Sequence, residues 1–189
     1  MFLSIGLTQY VFNSVCLLLL GFITEATGIG FAKMAVIYLG AGVGGNLFGS
    51  VCAPELAVGA DVAVFGLPAA MLGAVIVNWH ALKPIGMMRI MLIMMLVLIS
   101  VMLILFTSTA YSTGSIGFAY YDMYGHFGSF ICGLFLGMMF MKRVRAVANV
   151  QESSLEKLVF KIGGAGLVLY FILMFTLFLT VVAPPNYGV

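Results

Sequence analysis

Along this chain the apolar positions follow neither a strand period nor a helical one. They run on unbroken, and the charges stand between the runs. No Lys, Arg, Asp or Glu occurs in Met1–Thr24, Met34–Pro54, Val62–Leu82, Ile90–Tyr121, Met123–Met141 or Ile162–Ala183. A helix that crosses a hydrocarbon core about 30 Å thick needs roughly 20 mostly apolar residues. The pattern therefore predicts six spanning helices, here segments A to F, at about residues 2–24, 32–53, 61–82, 88–108, 123–141 and 160–183. In segment D the Leu/Ile/Met part, Ile90–Thr107, carries the helix. The expected fold class is an all-α, polytopic membrane bundle in a single domain, 1–189.

Composition reinforces that reading. Hydrophobic residues make up 63% of the chain and charged residues only 7%, against about a quarter charged in an ordinary soluble domain. A soluble bundle would leave six helices without polar faces, so that class is excluded. Segment A has neither a basic leader nor a small-residue cleavage site, which argues against a signal peptide.

The charges also give the topology. All eight basic residues, Lys33, Lys83, Arg89, Lys142, Arg143, Arg145, Lys157 and Lys161, fall in the A–B, C–D and E–F connections or at the adjoining helix ends. The other side carries both termini and the B–C and D–E loops, with Glu55, Asp61 and Asp122. The positive-inside rule makes the basic side cytoplasm, or matrix in a mitochondrion. Lys142, Arg143 and Arg145 could also touch anionic lipid headgroups. The small net charge of +2 calls for no nucleic-acid partner. Cys16, Cys52 and Cys132 show no metal spacing and read as buried free thiols. No metal or other cofactor is expected.

Two connections are long. Ser108–Tyr121 is uncharged and rich in Ser, Thr, Gly and Tyr, suited to the membrane interface. Arg145–Glu156 is the one soluble-looking stretch, and Ser153, Ser154 and Glu156 could cap the helix that follows. Small residues mark packing faces: Gly40, Gly44, Gly45 and Gly49 on B; Gly59, Gly66 and Gly73 on C; Gly125, Ser129, Gly133 and Gly137 on E. Such stripes let helix backbones approach closely in lipid. Segment D has none and reads as a peripheral helix. Pro68 should kink C unless neighbours satisfy the freed carbonyl. Trp79-His80 reads as an interfacial anchor at the opposite face from His126.

Polar residues gather near the acidic face. Gln9 and Asn13 lie one turn apart on A, Asp61 opens C, and His126 lies one turn inside E. Here the chain resembles the rhomboid family of intramembrane serine proteases. The family's GxSGxxxG is matched by Gly59-Ala60-Asp61-Val62-Ala63-Val64-Phe65-Gly66, with Asp61 at the serine and Val62 at the following glycine. The family's His with small residues at +2, +3, +7 and +11 is matched by His126, Gly128, Ser129, Gly133 and Gly137. HxxxN is matched by Gln9 and Asn13, the His being lost. Gly21, Glu25, Gly28 and Tyr38 resemble the GxxxE…G…Y junction. The resemblance covers about Gln9 to Met141. It implies a rhomboid-like core of five helices, starting at what resembles the family's second helix, plus one extra C-terminal helix, F.

The resemblance also implies a degenerate site at Asp61, His126, Gln9 and Asn13. A rhomboid needs a Ser hydroxyl that His deprotonates. Asp61 supplies no such nucleophile, and its carboxylate would repel a developing oxyanion. The expectation is a pseudoprotease, not an enzyme. An aspartyl protease built on Asp61 and Asp122, with Tyr121-Asp122 as its motif, has the wrong motif order. Asp61 and His126 should instead pair and pin C to E, with helices A, C and E forming the packed core. The expected role is an accessory subunit among the transmembrane subunits of a large complex, with the mitochondrial inner membrane as its location. The alternative is a proton or small-solute transporter that uses Asp61 and His126.

The topology is testable. Single cysteines at Val189 and Val144, labelled from one side with an impermeant thiol reagent, should report opposite sides of the membrane. Labelling of both from one side refutes six crossings.

Overall fold

The computed structural model describes residues 7–26, 30–52, 60–79, 123–140 and 154–182, together with 90, 92–94, 96–97, 100 and 101; at 8, 9, 24–26, 154–156, 181 and 182 it describes the backbone alone. Every regular element among them is helical: α1 (Leu7–Ala26), α2 (Phe31–Cys52), α3 (Asp61–Val77), α4 (Met123–Phe140) and α5 (Ser154–Leu177), which runs on into a π turn at Phe178–Val182. Helical residues also recur between positions 90 and 101, within segment D. The protein is an all-α polytopic membrane bundle. Phe31–Cys52, Met123–Phe140 and Lys157–Thr180 are long and apolar enough to cross a membrane, and Tyr10–Ile23 and Asp61–Val77 are shorter apolar helices.

The helices follow the charge-free runs with shifted edges. Helix α3 ends at Val77, where Asn78 and Trp79 form a turn. Helix α5 begins at Ser154, six residues before the expected start, so Lys157 and Lys161 lie inside it. Both lysines are exposed, and long basic side chains can keep their ammonium at the interface while the stem covers apolar surface. Between α1 and α2 the chain passes Gly30 at φ 83°, left-handed backbone that costs a glycine little. The Gly30 carbonyl accepts the Met34 N–H (3.2 Å) and so starts α2. The expected interfacial loop Ser108–Tyr121, the basic cluster Lys142, Arg143 and Arg145, and most of Arg145–Glu156 lie outside the described residues.

Helix α3 is buried almost all round, from Asp61 through Met71, with Pro68 inside it and the helix continuous through that position. A helix with no exposed face belongs at the centre, and α3 is clasped there by α2 and α4. The expected core of segments A, C and E is thus corrected to α2, α3 and α4 (segments B, C and E). Helix α1 meets the bundle along Phe12, Asn13, Cys16, Leu17, Leu20 and Ile23, and exposes Leu7, Val11, Val15, Leu18, Leu19 and Phe22. The reason lies in the glycines. Segment A has glycine only at Gly6 and Gly21, whereas α2 carries a full glycine stripe that α4 can approach. Segment D is peripheral as expected: Leu96 is buried against the core, while Ile90, Met94, Val97 and Val101 are exposed.

The α3–α4 crossing is backbone on backbone. A Cβ built on Gly133 would collide with the carbonyl of Gly66, and one on Gly137 with the carbonyl of Ala70. Across α2, a Cβ on Gly44 would meet Cys132 Cβ at 2.8 Å. Side-chain hydrogen bonds then lock the seams. Ser129 Oγ donates to the Val62 carbonyl (2.5 Å) and Cys132 Sγ to the Gly40 carbonyl (3.3 Å). Gly133→Val forces overpacking against fixed backbone and should cost about 1–3 kcal/mol. Gly164→Ala, where a Cβ meets nothing within 4 Å, should change stability by less than about 0.5 kcal/mol. Unfolding in mild detergent, followed by intrinsic fluorescence, checks both.

Candidate functional site

The site sits where three helix segments converge. Asp61 is the first residue of α3, and Ala60 precedes it without capping the helix through a side chain. His126 lies in the first turn of α4. The Gly66–Gly133 crossing brings the two helix starts to one depth, and Ser129, one turn below His126, ties α4 to the carbonyl next to Asp61. His126 Nε2 then lies 3.2 Å from Asp61 Oδ2, with the side chains 4% and 1% exposed. The Phe65 ring packs edge-on against the imidazole at a centroid distance of 5.4 Å. The structure therefore brings Asp61 and His126 together.

Asn13 reaches the same region from α1 and is 4% exposed. Neither atom of its side-chain amide has a hydrogen-bond partner among the described residues, nor does Asp61 Oδ1. A cavity of about 210 Å³ lies beside Asn13, lined by Tyr10, Asn13, Ser14, Leu17, Tyr38, Ala60 and Val64. Ser14 donates its own hydroxyl back to the Tyr10 carbonyl (2.8 Å). Gln9 is on α1 one turn before Asn13, and its side chain lies outside the described residues. Asp122 lies outside them as well.

Sequence reasoning missed Tyr170. Its hydroxyl lies 2.8 Å from the Gly44 carbonyl and 3.3 Å from that of Gly128, and can donate to either. Gly128 stands two residues after His126, so α5 is fastened to the site helix close to the site. The available signal was a lone tyrosine inside the apolar run Ile162–Ala183, flanked by glycines on α2 and α4. The partners are backbone carbonyls, which a sequence does not display.

Chemically, the arrangement presents a carboxylate to an imidazole. It can hold or share a proton. The Ser129 hydroxyl, one turn from His126 on α4, is committed to the Val62 carbonyl. No group of three or more His, Cys, Asp or Glu able to hold a metal occurs among the described residues.

A rhomboid-domain family model matches residues 1–143, and the chain belongs to the rhomboid family. It is 31% identical over 144 residues to RHOMBOID-like protein 5 of Arabidopsis thaliana, which covers 73% of this chain and 41% of that protein. RHOMBOID-like protein 7 of the same plant is 29% identical over 142 residues, 75% of this chain and 41% of the relative. Rhomboid-like protease 1 of Toxoplasma gondii is 28% identical over 145 residues, 76% of this chain and 46% of the relative. The chain thus spans less than half the length of these relatives. No solved structure matches it significantly. The matched region ends just after α4, so α5 and Tyr170 lie beyond it.

A double-mutant cycle over Asp61→Asn and His126→Gln should give a coupling on the order of 1 kcal/mol, as for other interhelical polar contacts in membranes. Additivity of the two single changes would show that the contact contributes nothing.

Proposed function

We propose that this rhomboid-family chain is catalytically inactive and acts by holding other transmembrane segments, as an accessory subunit of a larger membrane assembly. The observation that carries the first half is the carboxylate of Asp61 facing His126 at the position where the family's motif has its nucleophilic serine. An ionised carboxylate beside the imidazole offers no hydroxyl for attack on a carbonyl. It would also oppose the negative charge that forms on the carbonyl oxygen. Rhomboid-like protease 1 carries the activity in its name; Asp61 is the reason for not extending it to this chain.

The second half rests on surfaces. Helix α1 leaves a large apolar face uncovered, as does α5 with Leu158, Ile162, Val168, Leu169, Ile172, Leu173 and Phe175. Helix α1 also contributes a buried polar residue, Asn13, whose surroundings are incomplete. In this reading the assembly lies in the mitochondrial inner membrane, with the basic side in the matrix. The transporter alternative needs a polar path from Asp61 to the basic face. The buried polar side chains below the pair, Ser129 and Asn78, are spent on local carbonyls, Val62 and Ala74. That leaves the inner halves of α3 and α4 without a chain of free polar groups among the described residues, which favours the scaffold.

A fluorophosphonate reagent should label no residue of the detergent-solubilised chain. The chain should also migrate on native gels with other membrane proteins. Labelling that tracks with cleavage of a transmembrane substrate overturns the inactive reading, and a functional species with no other protein bound overturns the subunit reading.

A further inference from the structure

Two groups at the mouth of α3 share one anomaly. The Asn13 amide is buried with both atoms unpartnered, and Asp61 Oδ1 is buried with no partner among the described residues; Asn13 lines a cavity whose wall reaches Ala60, the residue before Asp61. Buried polar atoms without partners are rare and call for an explanation such as a proton or an ordered water. The cavity has room for several waters. Its wall offers the Tyr10 and Tyr38 hydroxyls as well as the Asn13 amide. Ala60, the chain neighbour of Asp61, forms part of that wall. An apolar occupant would leave every one of these groups unsatisfied.

We propose that Asp61, His126 and the Asn13 cavity form one proton-binding site inside the membrane, loaded through water from the cavity. The Asp61–His126 pair can hold none, one or two exchangeable protons, with net charge −1, 0 or +1. In a poorly polarisable surrounding the neutral, singly protonated pair is favoured over either charged form. The two groups lie 3.2 Å apart, Nε2 to Oδ2. The groups beside the pair are Phe65 on α3 and Ser129 on α4, with Tyr38 on α2 and Asn13 and Tyr10 on α1 lining the adjacent cavity. Among the described residues none of these carries a fixed charge. The cavity is therefore the route by which the net charge of the site can change. The two members of the pair belong to different helices, so proton loading sets how firmly the α3 and α4 starts are held together.

The proposal rests on Asp61 and His126 being a structural pair and not a catalytic couple. Substrate cleavage would defeat that premise, whereas the measurements below address proton binding alone. The chain holds two histidines, so His80→Gln leaves His126 as the single imidazole. The full chain, ¹⁵N-labelled at histidine and placed in lipid nanodiscs, is titrated by NMR between about pH 5 and 9. The His126 signal should titrate reversibly. Asp61→Asn removes a neighbouring unit charge and should move the proton concentration that half-loads His126 by about tenfold or more. Water-edited spectra of the unsubstituted chain should show magnetisation passing from water to the Asn13 amide. Asn13→Leu, close in size but apolar, should slow exchange of the His126 ring proton about tenfold. A His126 that does not titrate in this range, or titrates alike with and without Asp61, overturns the proposal. So does transfer to Asn13 from lipid acyl chains in place of water, a measurement that needs no variant to fold.

Discussion

Helix α4 has almost no side chain where it crosses α3 and α2, and the rest of the architecture depends on that. In lipid there is little hydrophobic drive between helices, so association relies on close contact and hydrogen bonds. Gly133 and Gly137 let the α4 backbone lie on that of α3 at Gly66 and Ala70. The separation is then short enough for Ser129 and Cys132, two of the smallest polar side chains, to reach carbonyls on α3 and α2. The same approach sets the vertical register of the two helices. With longer residues in the seam, Asp61 and His126 would stand too far apart to meet. The glycines thus act on the site without touching it.

The pair in turn shows which constraint is energetic and which is chemical. A buried carboxylate–imidazole contact is weak evidence for stability, because desolvation offsets most of the attraction. What the contact can contribute is register, since it forms only where the starts of α3 and α4 meet at one depth. Removal of either partner leaves the other buried and unmatched. In this rhomboid-family bundle the Asp61–His126 contact can serve as a registration mark between helices.

Much of this was legible in the sequence because membranes impose simple rules. Charge-free runs gave the helices, since a polar backbone in lipid must bond internally, and the spacing of Gly66, Gly133 and Gly137 marked the tight crossing. His126 and Asp61 stood out as ionisable residues among apolar ones. What was not legible depends on partners rather than residues. The polar pair Gln9 and Asn13 suggested a central place for α1, yet its bulky positions keep it at the margin, and the glycine stripe of α2 takes the place beside α4. Lys157 and Lys161 marked the edge of an apolar run but not the edge of a helix, because a lysine can sit in the first turns and reach outward. Tyr170 looked like one more large residue in an apolar run, because its acceptors are main-chain atoms on helices more than 40 positions away.

Tyr170 also bears on the order in which the protein is made. Its helix is synthesised after the three that form the core, and its hydroxyl spans a carbonyl from α2 and one from α4. Until that helix has entered the membrane, the α2–α4 seam lacks its outer fastening. A ribosome stalled after α4 would therefore release a bundle that holds both members of the Asp61–His126 contact but keeps its side open at Gly44 and Gly128. Insertion of α5 and closure of the α2–α4 seam are thus one event.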